Sequence, residues 1–316
     1  MGPISALLAA ASIAATPVST DVEAPGPSGP LRGTLLAPAE AQDAPVVLIL
    51  PGSGATNRDG NSGPNGIRAG TYRLLAEGLA ARGIATIRID KRGILGSAAA
   101  GSANAATIAD YAADARQWVQ AARARTGARC VWLLGHSEGG LVALVAGQNS
   151  EDICGLILVA AGGRPIGAVL REQLRASPVY APLLGQALPA IEALEAGRRV
   201  DVTGMDQRLL PLFAPPVQGQ MISLLSYDPA RLMASVRRPT LIVQGDRDLH
   251  VNETDARRLA EAGSGARLML LPGVNHVLKA VATDDRAANI ATYADPSLPL
   301  APDVVEAIAD FIGAAG

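Results

Sequence analysis

A serine stands at the centre of a glycine-framed motif, residues 135–139, in this chain of 316 residues. The motif reads Gly-His-Ser-Glu-Gly, so Ser137 occupies the middle of a G-x-S-x-G pattern. A run that favours a strand, residues 130–134, precedes it, and a small apolar stretch that favours a helix, residues 140–146, follows it. Strand, tight turn and helix in this order are the setting of a nucleophile elbow. The pattern therefore predicts Ser137 as a nucleophile, although the bare pentapeptide also occurs by chance in glycine-rich turns.

The base for this nucleophile must come from one of three histidines. A serine hydroxyl is weakly nucleophilic near pH 7 and needs an adjacent base, usually a histidine oriented by a carboxylate. His136 lies within the motif and is expected to pack or hydrogen-bond beneath the site, and His250 is expected to be a neighbour of the site or exposed. His276 follows a predicted strand, residues 267–271, in a loop that can reach Ser137. His276 is therefore the predicted base.

The acid is expected between the nucleophile and the base along the chain, in the order Ser, Asp or Glu, His. The predicted strand 240–244 is followed by Gly-Asp-Arg-Asp. The Gly-x-x-Asp spacing favours Asp248, and Asp246 is the alternative, which otherwise stabilises a turn. Glu138 adjoins the nucleophile too closely to be the acid, but its backbone N–H is placed to donate to an oxyanion.

The second oxyanion donor is expected in the loop after the predicted strand 46–50, which precedes the elbow strand by two. This loop begins Pro-Gly-Ser-Gly, and its glycines let a carbonyl group approach the backbone closely. The N–H of Ser53 is the predicted donor, and that of Gly54 is the alternative. Polar residues 57–61 are interpreted as a scaffold for the loop rather than substrate contacts, with an ion pair expected between Asp59 and Arg92.

Apolar strands alternate with helical patterns in two parts of the chain, residues 20–163 and 239–316. Strands that are apolar on both faces and separated by helices indicate a mostly parallel sheet with both faces covered. Between these parts, residues 164–238 carry leucine-rich helical patches broken by prolines, which predict an inserted helical cap. We expect the cap segments 183–194 and 209–213 to line an apolar substrate pocket.

The composition restricts the partners of the chain. Hydrophobic residues make up 49% and charged residues 18%, which favours a large core over disorder. Aromatic residues make up 3%, the net charge is −2, and the basic residues are scattered, so nucleic acid is not an expected partner. No apolar run reaches the roughly 20 residues of a membrane span. The expected partners are a small-molecule substrate and water; the sequence leaves the oligomeric state open.

The N-terminal residues 1–19 include an apolar run typical of a secretory signal peptide, although no Lys or Arg precedes it. This run favours export to the periplasm or medium, with the cytoplasm as the alternative if no signal peptide is present. Cys130 and Cys154 each begin a predicted strand, and the two strands are expected to be neighbours. A disulfide and two separate buried thiols both remain open.

These motifs, in their order along the chain, resemble the serine hydrolases of the α/β-hydrolase superfamily, in particular bacterial carboxylesterases similar to the serine-aminopeptidase-like (S33-type) branch. The resemblance covers roughly residues 31–314 and implies an eight-stranded, mostly parallel sheet flanked by helices, with a helical cap insertion. It also implies ester hydrolysis without a cofactor or metal. Residues 90–97 carry one residue more than the Arg-Gly-x-Gly-x-Ser pattern common in the family. The motifs that carry the resemblance lie at residues 51–54, 57–61, 90–93, 135–140, 245–248 and 275–276.

The predicted activity is hydrolysis of short- to medium-chain carboxylic esters through an acyl-enzyme on Ser137. A serine peptidase or amidase with the same catalytic residues is one alternative. A carboxylate cluster in the cap would favour it, but the candidates Glu192 and Glu195 are closely followed by Arg198 and Arg199. A ligand-binding homologue that hydrolyses slowly is a second alternative. Haloalkane dehalogenases and epoxide hydrolases are disfavoured, because they need an aspartate at the position of Ser137.

Overall fold

The protein is built around one eight-stranded sheet, seen here in a computed structural model that describes residues 16–39, 43–63, 66–148 and 150–315. The strands are β1 (Val18–Ala24), β2 (Leu31–Ala37), β3 (Val46–Leu50), β4 (Ala85–Ile89), β5 (Val131–His136), β6 (Ile153–Val159), β7 (Thr240–Gly245) and β8 (Arg267–Leu271). Their order in the sheet is β1-β2-β4-β3-β5-β6-β7-β8. The pairs β1–β2 and β2–β4 are antiparallel, and all the others are parallel. The predicted eight-stranded, mostly parallel sheet is therefore confirmed.

Helices connect the strands and cover both faces of the sheet. In the described residues they are α1 (Thr71–Ala80), α2 (Ile108–Thr126), α3 (Glu138–Ala146), α4 (Ile166–Ala176), α5 (Leu184–Glu195), α6 (Leu210–Phe213), α7 (Gln218–Leu225), α8 (Pro229–Ser235), α9 (Glu253–Ala262), α10 (Arg286–Ala291) and α11 (Pro302–Ala315). Local signals set their ends, as in α2. Thr107 and Asp110 form a capping box at its start, and Gly127 closes it in the left-handed conformation.

The core lies on both faces of the sheet, because every residue of β3, β4 and β5 is buried. On one face α2, α3, α8 and α9 contribute the buried side chains of Trp118, Leu144, Met233 and Leu259. On the other face α1 and α11 pack against the same strands. Strands buried on both sides read as continuous apolar runs, which is why they could be located in the sequence.

The helices α4 to α7 lie between β6 and β7 in the chain, and we call residues 164–226, which contain them, the cap. Their apolar side chains make a cluster of their own, with Ile191, Leu209 and Phe213 fully buried in it. The predicted cap segment extends to residue 238, but α8 belongs to the core, since its Met233 packs against the sheet layer.

The chain enters the sheet through the antiparallel pair β1–β2. Most of the predicted signal peptide, residues 1–15, lies outside the described residues, and Val18 and Ser19 already belong to β1. A disulfide joins Cys130 and Cys154, whose Cα atoms are 5.2 Å apart at the starts of the neighbouring strands β5 and β6. Of the two arrangements left open, the structure thus shows the disulfide. Across the described part of the chain, no helix is both long and apolar enough to cross a membrane.

Candidate active site

The predicted catalytic residues all follow the carboxyl ends of strands at one edge of the sheet. Ser137 follows β5, Asp248 lies three residues after β7, and His276 lies five residues after β8. The predicted oxyanion loop follows β3, which pairs directly with β5. Because parallel strands present their carboxyl ends at the same edge, the topology gathers these distant segments.

The turn at Ser137 has the strained backbone of a nucleophile elbow. Ser137 has φ 55° and ψ −121°, a region that non-glycine residues rarely occupy. Its N–H donates to the Val159 carbonyl of β6 at 3.0 Å. The glycines at 135 and 139 permit the tight packing of strand and helix, since a Cβ on Gly135 would overlap the backbone of Gly139. A Cβ on Gly139 would in turn overlap the Leu50 carbonyl of β3.

His276 and Asp248 form the hydrogen bond that orients the predicted base. The Nδ1 of His276 lies 2.7 Å from Oδ2 of Asp248, and the two side chains are 8% and 1% exposed. The N–H groups of His250 and Val251 donate to the other carboxylate oxygen at 2.7 and 3.0 Å. Burial raises the pKa of Asp248, but the His276 ring and these N–H donors outweigh it and hold the pKa below its usual value. Asp248 is therefore suited to stay ionised and to keep the Nδ1 proton on His276.

The alternative acid, Asp246, does not contact His276. Its carboxylate accepts a hydrogen bond from the N–H of Gly273 at 2.7 Å and so holds the turn after β8. This is the turn-stabilising role that the sequence left open for it. His250 lies beside the site, with its ring centroid 4.7 Å from that of His276.

His136 lies beneath the site, as expected, in a chain of hydrogen bonds that fixes its proton. The N–H of Gly52 donates to the Tyr72 hydroxyl oxygen at 2.9 Å, so the hydroxyl proton is directed to Nδ1 of His136, also at 2.9 Å. The proton of His136 is then on Nε2, which donates to the backbone carbonyl of His276 at 2.8 Å. Burial, reinforced by the nearby His276, lowers the pKa of His136 to about 3. This neutral ring links the oxyanion loop to the loop that carries the predicted base.

The oxyanion loop and the first turn of α3 border the nucleophile. A Cβ added to Gly52 would lie 3.3 Å from Cβ of Ser137, so the loop backbone is close to the elbow. The carbonyl of Ser53 accepts a hydrogen bond from the Thr56 hydroxyl at 2.9 Å. Glu138 opens α3, and its N–H is one of the donors that the first turn of a helix leaves free. Both predicted oxyanion donors thus belong to segments beside Ser137.

Lys91 is buried behind the oxyanion loop. Its Nζ donates to the Gly52 carbonyl at 2.8 Å and lies 3.5 Å from Oε1 of Glu138. The Lys91 and Glu138 side chains are 6% and 8% exposed. Burial lowers the pKa of Lys91, although the carboxylate of Glu138 opposes this shift.

The expected ion pair between Asp59 and Arg92 is wrong. Asp59 pairs with Arg88, a residue of the neighbouring strand β4, and Arg92 makes a bidentate pair with Asp114 of α2. The segment 57–61 is a hydrogen-bonded scaffold, as interpreted. Within it, Oδ1 of Asn57 accepts hydrogen bonds from two N–H groups of the same loop, at residues 59 and 61.

A cleft with a cavity volume of about 60 Å³ opens to solvent over Ser137 and His276. Its walls include the uncharged polar residues Thr56 and Thr71 and the apolar residue Val277. Among the described residues that line it, none carries a carboxylate and none comes from the cap. The expectation that cap segments 183–194 and 209–213 line this pocket is not met: none of their residues lines it, and Leu183, Leu194, Leu209 and Phe213 are buried in the cluster of the cap itself. Nor does the described part of the chain group three or more His, Cys, Asp or Glu residues in a way that could hold a metal ion.

Two residues that hydrogen-bond to the oxyanion loop, Tyr72 and Lys91, have no role predicted from the sequence. Tyr72 lies at the second position of α1, and Lys91 belongs to the motif at residues 90–93 that carries the family resemblance. Each has a signal that is visible in hindsight: a polar group placed at an element end on the carboxyl edge of the sheet. Their partners, however, are backbone atoms 20 and 39 residues away, which no local pattern shows.

The strand order, the elbow and the His–Asp pair are those of the α/β-hydrolase fold. Residues 66–215 match the family model described as serine aminopeptidase, S33. The resemblance seen in the sequence motifs is thereby confirmed.

Individual relatives agree with this assignment. Esterase EstD of Thermotoga maritima is 26% identical over 252 residues, which cover 78% of this chain and 58% of that esterase. Est1E from Butyrivibrio proteoclasticus, solved with ferulic acid bound, is 17% identical with a TM-score of 0.58 and covers 93% of this chain and 98% of its own. The enol-lactonase from Burkholderia xenovorans is 17% identical with a TM-score of 0.56, covering 92% and 99%. Because Est1E and the enol-lactonase are each only 17% identical to this chain, their similarity supports the fold alone.

Proposed function

We propose that this protein is a serine carboxylesterase that hydrolyses short- to medium-chain esters through an acyl-enzyme on Ser137. The observation that carries the proposal is the placement of a strained elbow serine and an Asp248-bound His276 around one cleft. The similarity to an esterase over 78% of the chain supports it.

The proposed reaction has two stages. Ser137 Oγ attacks the ester carbonyl carbon while Nε2 of His276, the ring nitrogen not engaged by Asp248, takes the hydroxyl proton. The N–H groups of Ser53 and Glu138 stabilise the oxyanion. His276 then gives its proton to the departing alcohol, and a water molecule repeats the sequence on the acyl-enzyme to release the acid. The Asp248 carboxylate stabilises the imidazolium that forms in each stage.

The size and chemistry of the cleft favour a small ester. Its cavity volume of about 60 Å³ is well below the roughly 300–1,000 Å³ typical of sites for drug-sized ligands, so the cleft suits a small substrate. An aminopeptidase needs an anion to hold the charged amine of its substrate, and the described lining offers no carboxylate. Of the two cap glutamates considered, Glu195 pairs with Arg171, and Glu192 is exposed outside the cleft. Ester hydrolysis is therefore the better-supported activity.

Fluorophosphonate labelling tests the nucleophile, with a Ser137→Ala variant measured beside the wild type. We expect one label per chain, located on Ser137 by peptide mass spectrometry, and loss of p-nitrophenyl butyrate turnover in the variant. Labelling at another residue, or turnover retained by the variant, would overturn the assignment.

A substrate panel separates the esterase from its alternatives. We expect p-nitrophenyl acetate and butyrate to be turned over many times per site, with aminoacyl p-nitroanilides at least about 100-fold slower in kcat/KM. The opposite ranking would favour a peptidase, and a single slow turnover would favour a ligand-binding homologue.

We also propose that the protein is exported. The support is the disulfide between Cys130 and Cys154, since such bonds persist in oxidising compartments. Osmotic-shock fractionation of cells that express the chain tests this. Recovery in the periplasmic fraction with no free thiol is the expected result, and recovery in the cytoplasm with two free thiols would contradict it.

A further inference from the structure

We infer that Lys91 is a positioning residue for the oxyanion hole, because its ammonium group holds the Gly52 carbonyl and so directs the Ser53 N–H toward the substrate oxygen. The inference rests on the proposed function, in which Ser53 supplies one of the two oxyanion donors. It gives a role to a motif residue that the catalytic mechanism itself does not use.

A single peptide group connects Lys91 to the predicted oxyanion donor. The carbonyl of Gly52 and the N–H of Ser53 belong to the same planar unit, and in a trans peptide they point in opposite directions. Nζ of Lys91 lies 2.8 Å from the Gly52 oxygen, and Lys91 is buried and is not among the residues that line the cleft. A carbonyl fixed toward Lys91 leaves the N–H of Ser53 directed toward the cleft, which Ser53 and Ser137 both line.

Both backbone polar groups of Gly52 are hydrogen-bonded to side chains. Its N–H donates to the Tyr72 hydroxyl at 2.9 Å, and its carbonyl accepts from Lys91. Glycine permits many backbone conformations, so a loop centred on it needs such external bonds to keep one orientation. Preorganised donors stabilise an oxyanion most when they need no reorientation during the reaction. Removal of the Lys91 bond therefore frees the peptide to rotate.

Lys91 also joins the two predicted oxyanion donors. Its second contact is the carboxylate of Glu138, the residue whose N–H is the other donor. Both side chains are at least nine-tenths buried, so the pair has little competition from water. The same ammonium group thus contacts both segments that must hold the substrate oxygen.

The test compares Lys91→Met with Arg92→Met, using p-nitrophenyl butyrate as substrate. Lys91→Met should lower kcat by about 10- to 100-fold, less than the 10²–10³-fold typical of a deleted donor, with KM changed by less than about threefold. The Ki of phenylboronic acid, which forms a tetrahedral adduct with the nucleophile, should rise by a similar factor. Arg92→Met removes the neighbouring buried cation and its pair with Asp114, but no bond to Gly52. It should lower the melting temperature and leave kcat within about twofold.

A double variant separates positioning from a general effect on stability. Lys91→Met alone leaves the Glu138 carboxylate buried without its cation, whereas Lys91→Met with Glu138→Gln removes both charges. We expect the double variant to regain melting temperature and not kcat. Recovery of kcat together with stability, or a kcat of Lys91→Met within twofold of the wild type, would overturn the inference. Failure of the proposed function is recognised separately, since Ser137→Ala would then keep its turnover.

Discussion

Two regions of the molecule bury their side chains in opposite ways. Beneath the nucleophile lies a polar group that we call the elbow network: Gly52, Tyr72, Lys91, His136 and Glu138. Its side chains are buried, and their hydrogen bonds run to backbone atoms of the loops that hold the predicted oxyanion donors and base. The cap instead buries an apolar cluster, and its internal ion pair Arg171–Glu195 lies near the surface.

The two regions therefore control different properties. The elbow network controls the geometry of the site, and the cap cluster controls the stability of its helices. Hydrogen bonds are directional, so the elbow network specifies where single atoms of the site lie. Apolar contacts are non-directional, so the cap cluster stabilises its helices without specifying an atom of the cleft. We therefore expect changes in the elbow network and at Ser137, Asp248 and His276 to act on kcat or on the pH dependence of stability. Changes in the cap should act mainly on stability.

The largest effect is expected at the acid. Asp248→Asn replaces the acceptor for the Nδ1 proton of His276 with a group that can donate, which favours the wrong tautomer of the base. We expect kcat for p-nitrophenyl butyrate to fall by about 10³- to 10⁴-fold. Asp246→Asn, which can still accept from the N–H of Gly273, is the matched control and should stay within about twofold. A large loss in the control with a small one at Asp248 would exchange the two assignments.

The cap prediction concerns stability. Phe213→Ala removes a fully buried ring from the cap cluster and should lower the free energy of unfolding by about 3–5 kcal/mol, measured by urea denaturation. Since no described cap residue lines the cleft, kcat for p-nitrophenyl acetate should stay within about threefold. Val179→Ala, at a cap position that is 54% exposed, should change neither quantity. A kcat loss in Phe213→Ala without a loss of stability would show that the cap controls the site after all.

The same contrast explains what the sequence could and could not predict. The strands β3 and β8 match the predicted runs 46–50 and 267–271, because a strand buried in a sheet leaves a local apolar pattern. The elbow, Asp248 and His276 follow from motif order combined with strand ends. The cap lining was predicted incorrectly, because a leucine-rich helix has the same pattern whether it faces a pocket or its own cluster.

Polar contacts between residues far apart in the chain also could not be predicted from the sequence. Tyr72 and His136 are 64 residues apart, and their bond depends on how α1 and β5 meet in the folded chain. The incorrect Asp59–Arg92 pair has the same origin. Opposite charges on neighbouring loops predict attraction, but the actual partners, Arg88 and Asp114, lie on elements whose packing is set by the sheet.

A smaller effect is expected from the protonation of the elbow network. The pKa of His136 is lowered from 6.5 to about 3, so the unfolded chain binds the proton more tightly. Above pH 6.5 this group does not reduce the free energy of unfolding, because the ring is neutral in both states. As the pH falls from 6.5 toward 3, the unfolded chain takes up the proton first, and the free energy of unfolding decreases. At pH 5 the loss is about 2 kcal/mol, since each pKa unit corresponds to about 1.4 kcal/mol.

Denaturation at pH 8 and pH 5 measures this loss. His136→Gln keeps an acceptor for Tyr72 and a donor for the His276 carbonyl but does not titrate. Its unfolding free energy should therefore fall by about 2 kcal/mol less than that of the wild type over this interval. Equal losses in the two proteins would show that His136 is not held neutral.

The smallest effect is expected from the ion pair of the cap. Arg171 and Glu195 form a bidentate pair with side chains 25% and 31% exposed, so water and salt compete with it. Arg171→Ala should change the free energy of unfolding by less than about 1 kcal/mol, and by less still in 0.5 M NaCl. The equivalent change in the core, Arg92→Ala, leaves Asp114 buried without its partner and should cost about 3–5 kcal/mol. If the two variants lost equal stability, burial would not distinguish the ion pairs of the core from those of the cap, and the contrast between the two regions would rest on their hydrogen bonds alone.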